Sequence, residues 1–129
     1  MAGELLLIVE DNARNLKLVR DVLNFHGYQT LEARTGEAAL EIAAIRAPDL
    51  ILMDLRLPGC DGFAALERLR SNAGTSSIPV VALTAFAMPA DHERCLAAGF
   101  DGYVEKPISV PTFPGKVASF LHAGQGGPS

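Results

Sequence analysis

A small set of residues that can do chemistry follows directly on short apolar runs. Glu10 and Asp11 follow Leu5-Leu-Leu-Ile-Val9, Asp54 follows Leu50-Ile-Leu-Met53, Thr84 follows Val80-Val-Ala-Leu83, and Lys106 closes the stretch Tyr103-Val-Glu-Lys106. Brought to one edge, the carboxylates of Glu10, Asp11 and Asp54 repel and raise one another's pKa unless a cation sits among them. A hard dication suits such a set: Mg²⁺ takes a few carboxylates and keeps water and phosphate oxygens as its other ligands. The ammonium of Lys106 and the hydroxyl of Thr84 can then meet a phosphate oxygen at the same edge. A carboxylate attacks phosphorus only where incoming negative charge is neutralised, and these groups together do that. Asp54, central and after the most apolar run, is the candidate nucleophile.

Each signal taken singly has a plainer meaning. An acidic pair after a strand is often a solvated end, and Asp11 or Asn12 can cap a following helix. A threonine at a strand end is usually structural, and Lys106-Pro107 reads equally as a turn. Asp61-Gly62 takes the plainer reading, with Asp61 as the cap of a helix. What joins the rest is their order along the chain.

The elements that must position them alternate. Strands are predicted at Leu5–Val9, Tyr28–Ala33, Leu50–Met53, Val80–Leu83 and Tyr103–Val104, the first, third and fourth apolar throughout as in central parallel strands, the second alternating like an edge. Between them the period becomes helical. Leu16, Val19, Val22 and Leu23 stripe a helix over about Asn12 to His26, ended by Gly27. Thr35 caps a second helix through Arg46 before Pro48; Phe63, Leu66 and Leu69 line a third; Asp91 to Ala98 is a fourth ended by Gly99; a fifth runs to about Leu121. Pro111 and Pro114 stand where that last helix should begin, and an interior proline breaks a helix, so a late start with Thr112 or Phe113 at the cap is expected. The alternation predicts an α/β fold, a doubly wound five-stranded parallel sheet in the order 2-1-3-4-5 with five helices. Ligands of such sheets bind at the carboxyl ends of the strands. The candidate residues all fall there.

Bulk properties bound the alternatives. At 129 residues, with 49% hydrophobic and 20% charged residues, the chain suits one domain, placed at residues 1–122, with 123–129 as a flexible tail. A formal charge of −4 argues against a nucleic-acid surface. Lysine is scarce, at Lys17, Lys106 and Lys116 only, which makes the one beside the acids conspicuous. No apolar run reaches the roughly 18 residues of a membrane span, and the start lacks the pattern of a secretion signal, so a cytoplasmic protein is expected. Cys60 and Cys95 lack metal-ligand or redox spacing and read as plain reduced thiols.

The stretches Leu7-Ile-Val-Glu-Asp-Asn12, Asp49-Leu-Ile-Leu-Met-Asp-Leu-Arg-Leu-Pro58, Pro79-Val-Val-Ala-Leu-Thr-Ala85, Ala98-Gly-Phe-Asp-Gly-Tyr103 and Lys106-Pro107 resemble, in order, the receiver domains of response regulators, over about residues 5 to 121. Thr84-Ala-Phe-Ala-Met-Pro89 is particularly similar to stand-alone receivers of the DivK type and to receivers fused to hybrid histidine kinases. The resemblance implies a flavodoxin-like receiver fold and a two-component phosphorelay switch rather than an enzyme. It implies Asp54 as phosphoacceptor; Glu10, Asp11, Asp54 and the backbone carbonyl of Arg56 around Mg²⁺ or Mn²⁺; and Thr84 and Lys106 on the phosphoryl oxygens. It also implies a cis Lys106-Pro107 peptide and a switch in which Thr84 turns to the phosphate and Tyr103 follows inward. Tyr103 has a plainer reading as a half-buried strand aromatic. Phe86 is read as packing and Met88 as a partner contact.

The partners implied are a histidine kinase or histidine phosphotransfer protein and a downstream protein reached by surface contact, with the chain a monomer or weak dimer. The short chain favours a single-domain regulator; a receiver excised from a hybrid kinase, or an unphosphorylated docking module, are the alternatives. A phosphatase using an aspartyl-phosphate nucleophile would want a second acid two residues after Asp54, where Arg56 stands. A flavodoxin-like electron carrier would want glycines and hydroxyls in place of Glu10-Asp11-Asn12.

Overall fold

A computed structural model describes residues 3–57, 61–85 and 89–124, with side chains described through Leu121. The expectations for Cys60, Phe86, Met88 and residues 125–129 lie outside the described residues. Strands β1 (Leu5–Val9), β2 (Gln29–Ala33), β3 (Leu50–Asp54), β4 (Val80–Thr84) and β5 (Gly102–Glu105) alternate with helices α1 (Ala13–Phe25), α2 (Gly36–Arg46), α3 (Gly62–Ser71), α4 (Pro89–Ala98) and α5 (Phe113–Gly124). All paired strands are parallel, in the order β2-β1-β3-β4-β5.

Two apolar layers hold the helices to the sheet. Leu7, Val9, Ile51, Met53 and Ala82 face α2, α3 and α4, where Ala39, Ala43, Leu66, Leu69 and Cys95 are buried. The alternate residues Leu6, Ile8, Leu52, Leu83 and Val104 face α1 and α5, meeting Leu16, Leu23, Phe113 and Val117. β3 and β4 are buried along their whole length, as continuous apolar runs covered on both faces must be. Parallel pairing then sends every strand's carboxyl end to one edge.

Local chemistry sets where the elements start and stop. Asn12 caps α1 by accepting from Asn15 N at 3.0 Å, Thr35 caps α2 by accepting from Ala38 N at 3.1 Å, and Asp61 caps α3 by accepting from Ala64 N at 2.8 Å. Gly27 and Gly99 follow α1 and α4 with φ of 91° and 111°, a backbone that glycine adopts freely. β2 starts one residue later than the pattern suggests because Tyr28 N still donates to Leu23 O, closing α1. α4 begins at Pro89 rather than Asp91: a proline at the first helical position gives up an N–H that has no partner there.

The late start of α5 is observed. Thr112 N and Phe113 N both donate to Ser109 O, and Thr112 O accepts from Lys116 N at 3.2 Å, which makes Thr112 the cap. Pro114 falls second in the helix, where no i−4 bond is lost. The helix runs through Gly124, two residues past the boundary expected at 122. At the other end of the sheet Arg70 donates to Ser76 O (3.1 Å), Ile78 O (2.7 Å) and Asp101 Oδ2 (2.9 Å), and Asp101 Oδ2 also accepts from Val80 N (2.8 Å). This ties the end of α3 to the starts of β4 and β5. Gly102 lets Phe120 of α5 lie against β5, since a Cβ there would fall 2.3 Å from the ring.

Phe113, 1% exposed, is among the largest fully buried side chains and sits where α5 begins. Phe113→Ala is expected to lower unfolding stability by about 3–5 kcal/mol, read from urea denaturation; a loss below about 1 kcal/mol would mean that α5 is not anchored there.

Candidate functional site

At the carboxyl edge, the first strand hands over Glu10 and Asp11. Glu10 N donates to Ala33 O at 3.0 Å, which continues the β1–β2 ladder and turns the Glu10 side chain inward to 1% exposure. Its Oε2 accepts from Asn12 N at 3.2 Å. Asp11 is exposed, and its carbonyl accepts from the Arg34 guanidinium at 3.2 Å. From β3, the buried Asp54 accepts from Arg56 N through Oδ1 at 2.9 Å, so the chain just beyond the strand holds the carboxylate in place.

Lys106 closes the site from β5. Its Nζ lies 2.9 Å from Asp54 Oδ2 and 3.2 Å from Glu10 Oε1, and its backbone N donates to Thr84 O at 2.7 Å. The Lys106-Pro107 peptide is cis. Burial disfavours the ammonium, but the hydrogen bond and charge of Asp54 and those of Glu10 outweigh it and raise the lysine's pKa. The pKa of Glu10 is also raised, which for an acid favours the neutral form. Burial first, then the hydrogen bond with Asp54 and its like charge, push it up to about 7, against the weaker pull of Asn12 N and Lys106.

One carboxylate oxygen each from Glu10, Asp11 and Asp54 can be chosen so that all lie within 4.8 Å of one another. Oxygen ligands of a hard dication sit roughly 2.0–2.6 Å from the ion, so ligands on opposite sides are about 4–5 Å apart. The donor set is all oxygen, anionic and open to solvent on the Asp11 side; it fits Mg²⁺ or Mn²⁺. Thr84 is buried at the end of β4, opposite Glu105 in the register. Tyr103, two residues before Glu105 on β5, lies half-buried on the α4 side of the sheet. Glu10, Asp11, Asp54 and Lys106 thus form one cluster, Thr84 stands on the neighbouring strand, and Tyr103 stands apart from it.

Two contributors have no signal in residue type or spacing. Gly62, behind the cap Asp61, packs so closely under β3 that a Cβ would lie 2.8 Å from the Asp54 carbonyl oxygen and 2.9 Å from Leu55 Cα. Arg94 of α4 lies over the Phe63 ring, 4.3 Å from its centroid. It walls a cleft of about 540 Å³ that opens beside the cluster, with Asp11, Arg56 and Asp61 on its other sides. Cys95 is buried and its thiol is pushed up by that burial, consistent with a plain reduced cysteine.

Fold and site define a flavodoxin-like α/β domain with a carboxylate and lysine centre on the carboxyl edge of its sheet. Within that class the chain belongs to the response regulator receiver domain family, which it matches over residues 6–118. It is similar to the polar-differentiation response regulator DivK of Brucella ovis, 45% identical over 115 residues that cover 89% of this chain and 94% of that one. A response regulator of Chloroflexus aurantiacus superimposes with a TM-score of 0.88 at 30% identity, covering 93% of this chain and 98% of that one. The receiver domain of the sensor histidine kinase PA1611 of Pseudomonas aeruginosa, described with a magnesium ion in its active-site cleft, superimposes with a TM-score of 0.85 at 34% identity, covering 94% and 99%. Among the described residues, no helix is long and apolar enough to cross a membrane.

Two outcomes follow from the site. Gly62→Ala sets its Cβ against the β3 backbone and is expected to cost about 1–3 kcal/mol while weakening Mg²⁺ binding, measured by denaturation and by metal titration; unchanged metal affinity would separate Gly62 from the site. In divalent-free buffer Glu10 titrates near 7 when folded against an ordinary 4.5. The folded state therefore holds the extra proton, and stability due to Glu10 is present below about 4.5 and is lost as pH rises through 7. The stability difference between wild type and Glu10→Gln should fall across that window, and a flat difference would show that Glu10 ionises normally.

Proposed function

We propose that this chain is a single-domain response regulator of a two-component phosphorelay, which accepts a phosphoryl group on Asp54 and signals by protein contact. The observation that carries this is the placement of Lys106 Nζ 2.9 Å from Asp54 Oδ2 beside the cluster of three acids. In the transfer, a carboxylate oxygen of Asp54 forms a bond to phosphorus as the bond to the donor nitrogen of a phosphohistidine breaks. The electron pair leaves with the imidazole, which takes up a proton. Asp54 becomes a mixed anhydride, an acyl phosphate.

Glu10, Asp11, Asp54 and the backbone carbonyl of Arg56 would hold Mg²⁺ or Mn²⁺. Such an ion, when bound, neutralises the charge that gathers on the phosphoryl oxygens. The residues of the chain supply the rest. Lys106, already paired with Asp54, is positioned to follow the charge onto a phosphoryl oxygen, and the Thr84 hydroxyl donates to another. When Thr84 turns to the phosphate it vacates space that Tyr103 takes up, and the face built from α4 and β5 changes with it.

Partners of this reading are a histidine kinase or a histidine phosphotransfer protein as donor, and a protein target downstream. The outer surface of α1 supports such contacts. Phe25 is 85% exposed and Val110 48% exposed, and both line a cleft of about 260 Å³ with Val22.

The decisive test is intact-protein mass after incubation with acetyl phosphate, with and without Mg²⁺. Wild type is expected to gain one phosphoryl group only with the metal, and Asp54→Asn none. A gain retained by Asp54→Asn would move the acceptor elsewhere; no gain in wild type from acetyl phosphate or from a phosphorylated histidine phosphotransfer protein would leave a docking module in place of a switch.

A further inference from the structure

His92 of α4 lies flat on Tyr103 of β5, with ring centroids 3.9 Å apart and planes 19° from parallel. Its Nε2 lies 3.2 Å from Glu105 Oε2, and the histidine side chain is only 14% exposed. Tyr103 and Glu105 are two residues apart on one strand and share the face toward α4, so His92 spans both from above. Cys95, one helical turn on, is the residue that α4 buries against the sheet. The imidazole is therefore held by a carboxylate at its edge and by a phenol ring on its face.

We infer that His92 is a positioning residue that latches the switch aromatic in its resting place and so sets how strongly occupancy of Asp54 must pull before the α4–β5 face changes. The inference rests on the switching reading given above for Thr84 and Tyr103. The stack exists only for the Tyr103 position seen here: a ring that turns toward Thr84 leaves the His92 face uncovered. Near-parallel stacked rings favour the state that contains them by on the order of two- to tenfold in population. A ligand that selects the other state has its apparent affinity reduced by the same factor while the resting state dominates. Glu105, carried on the same strand and bonded to the imidazole edge, keeps the ring plane aligned with the phenol.

The experiment is a titration with beryllofluoride, a non-covalent mimic of a phosphoryl group on a carboxylate, in the presence of Mg²⁺. Tyr103 is followed by NMR of ring-labelled tyrosine. The chain has only two tyrosines, and Tyr28, next to the opposite edge strand β2, reports any general disturbance. For His92→Leu, which keeps bulk but has no ring, the midpoint of the Tyr103 response is expected to fall two- to tenfold, with Tyr28 shifts unchanged. His92→Phe restores the ring without the Glu105 bond and is expected to return the midpoint to within twofold of wild type. An unchanged midpoint in His92→Leu overturns the latch. A midpoint in His92→Phe as low as in His92→Leu overturns stacking as its cause. Tyr103 shifts that stay fixed at saturating beryllofluoride in wild type overturn the switching reading itself, a result distinct from the others because the phosphorylation of Asp54 is scored separately by mass.

Discussion

The ammonium of Lys106 sits between two carboxylates that are almost wholly withdrawn from water, and the arrangement of the whole carboxyl edge follows from that charge balance. An ion moved out of water pays several kcal/mol even after relaxation, which only close partners offset. Glu10, Asp11 and Asp54 carry −3 when ionised and Lys106 supplies +1, leaving −2 at the edge. The protein relieves part of this alone, by holding a proton near Glu10 up to about neutral pH. A dication relieves all of it. The same deficit that makes the cluster costly favours hard positive charge there, with the half-buried lysine already supplying part of it.

Such a cluster needs its members delivered from separate strands yet to one place, and a parallel sheet does this without long detours in the chain. Four adjacent strands, β1, β3, β4 and β5, end along one edge. Asp54 is the last residue of β3, while Glu10 and Lys106 stand one residue past β1 and β5, each still fixed by a backbone bond to the sheet. The Glu10 and Lys106 amides extend the strand bonding by one step, to Ala33 O and Thr84 O. The acid and the lysine are thereby set by the sheet rather than by a loop. Beneath them, the apolar residues of β3 and β4 contribute rigidity, because a fully covered strand has no room to slide.

Much of this was legible in residue order. Continuous apolar runs marked the central strands, Asn12, Thr35 and Asp61 announced their helices, and the strand-end residues converged because the topology left them no other edge. What was not legible depended on contacts between elements distant in the chain. Tyr28 belongs to a helix cap because Leu23 O was still available, which no pattern within Tyr28–Ala33 reveals. Pro114 reads as a breaker until its neighbours place it second in α5. Gly62 reads as the residue after a cap, and only the distance to the Asp54 carbonyl shows why no side chain fits. His92 carries no motif at all; its place is known from the ring beneath it.

The arginine at the end of α3 has a mechanical consequence. Arg70 and Asp101 fasten the chain just beyond Gly99 to the starts of β4 and β5, so α4 is pinned at its trailing end. Along its length it buries only Cys95. A helix of ten residues is about 15 Å long, and a tilt of roughly 5° about the pinned end carries the other end by on the order of 1 Å, a movement felt first where His92 meets Tyr103 and Glu105 of β5. α4 is thus a lever fastened at its trailing end, whose leading half rests on β5 through the His92 ring.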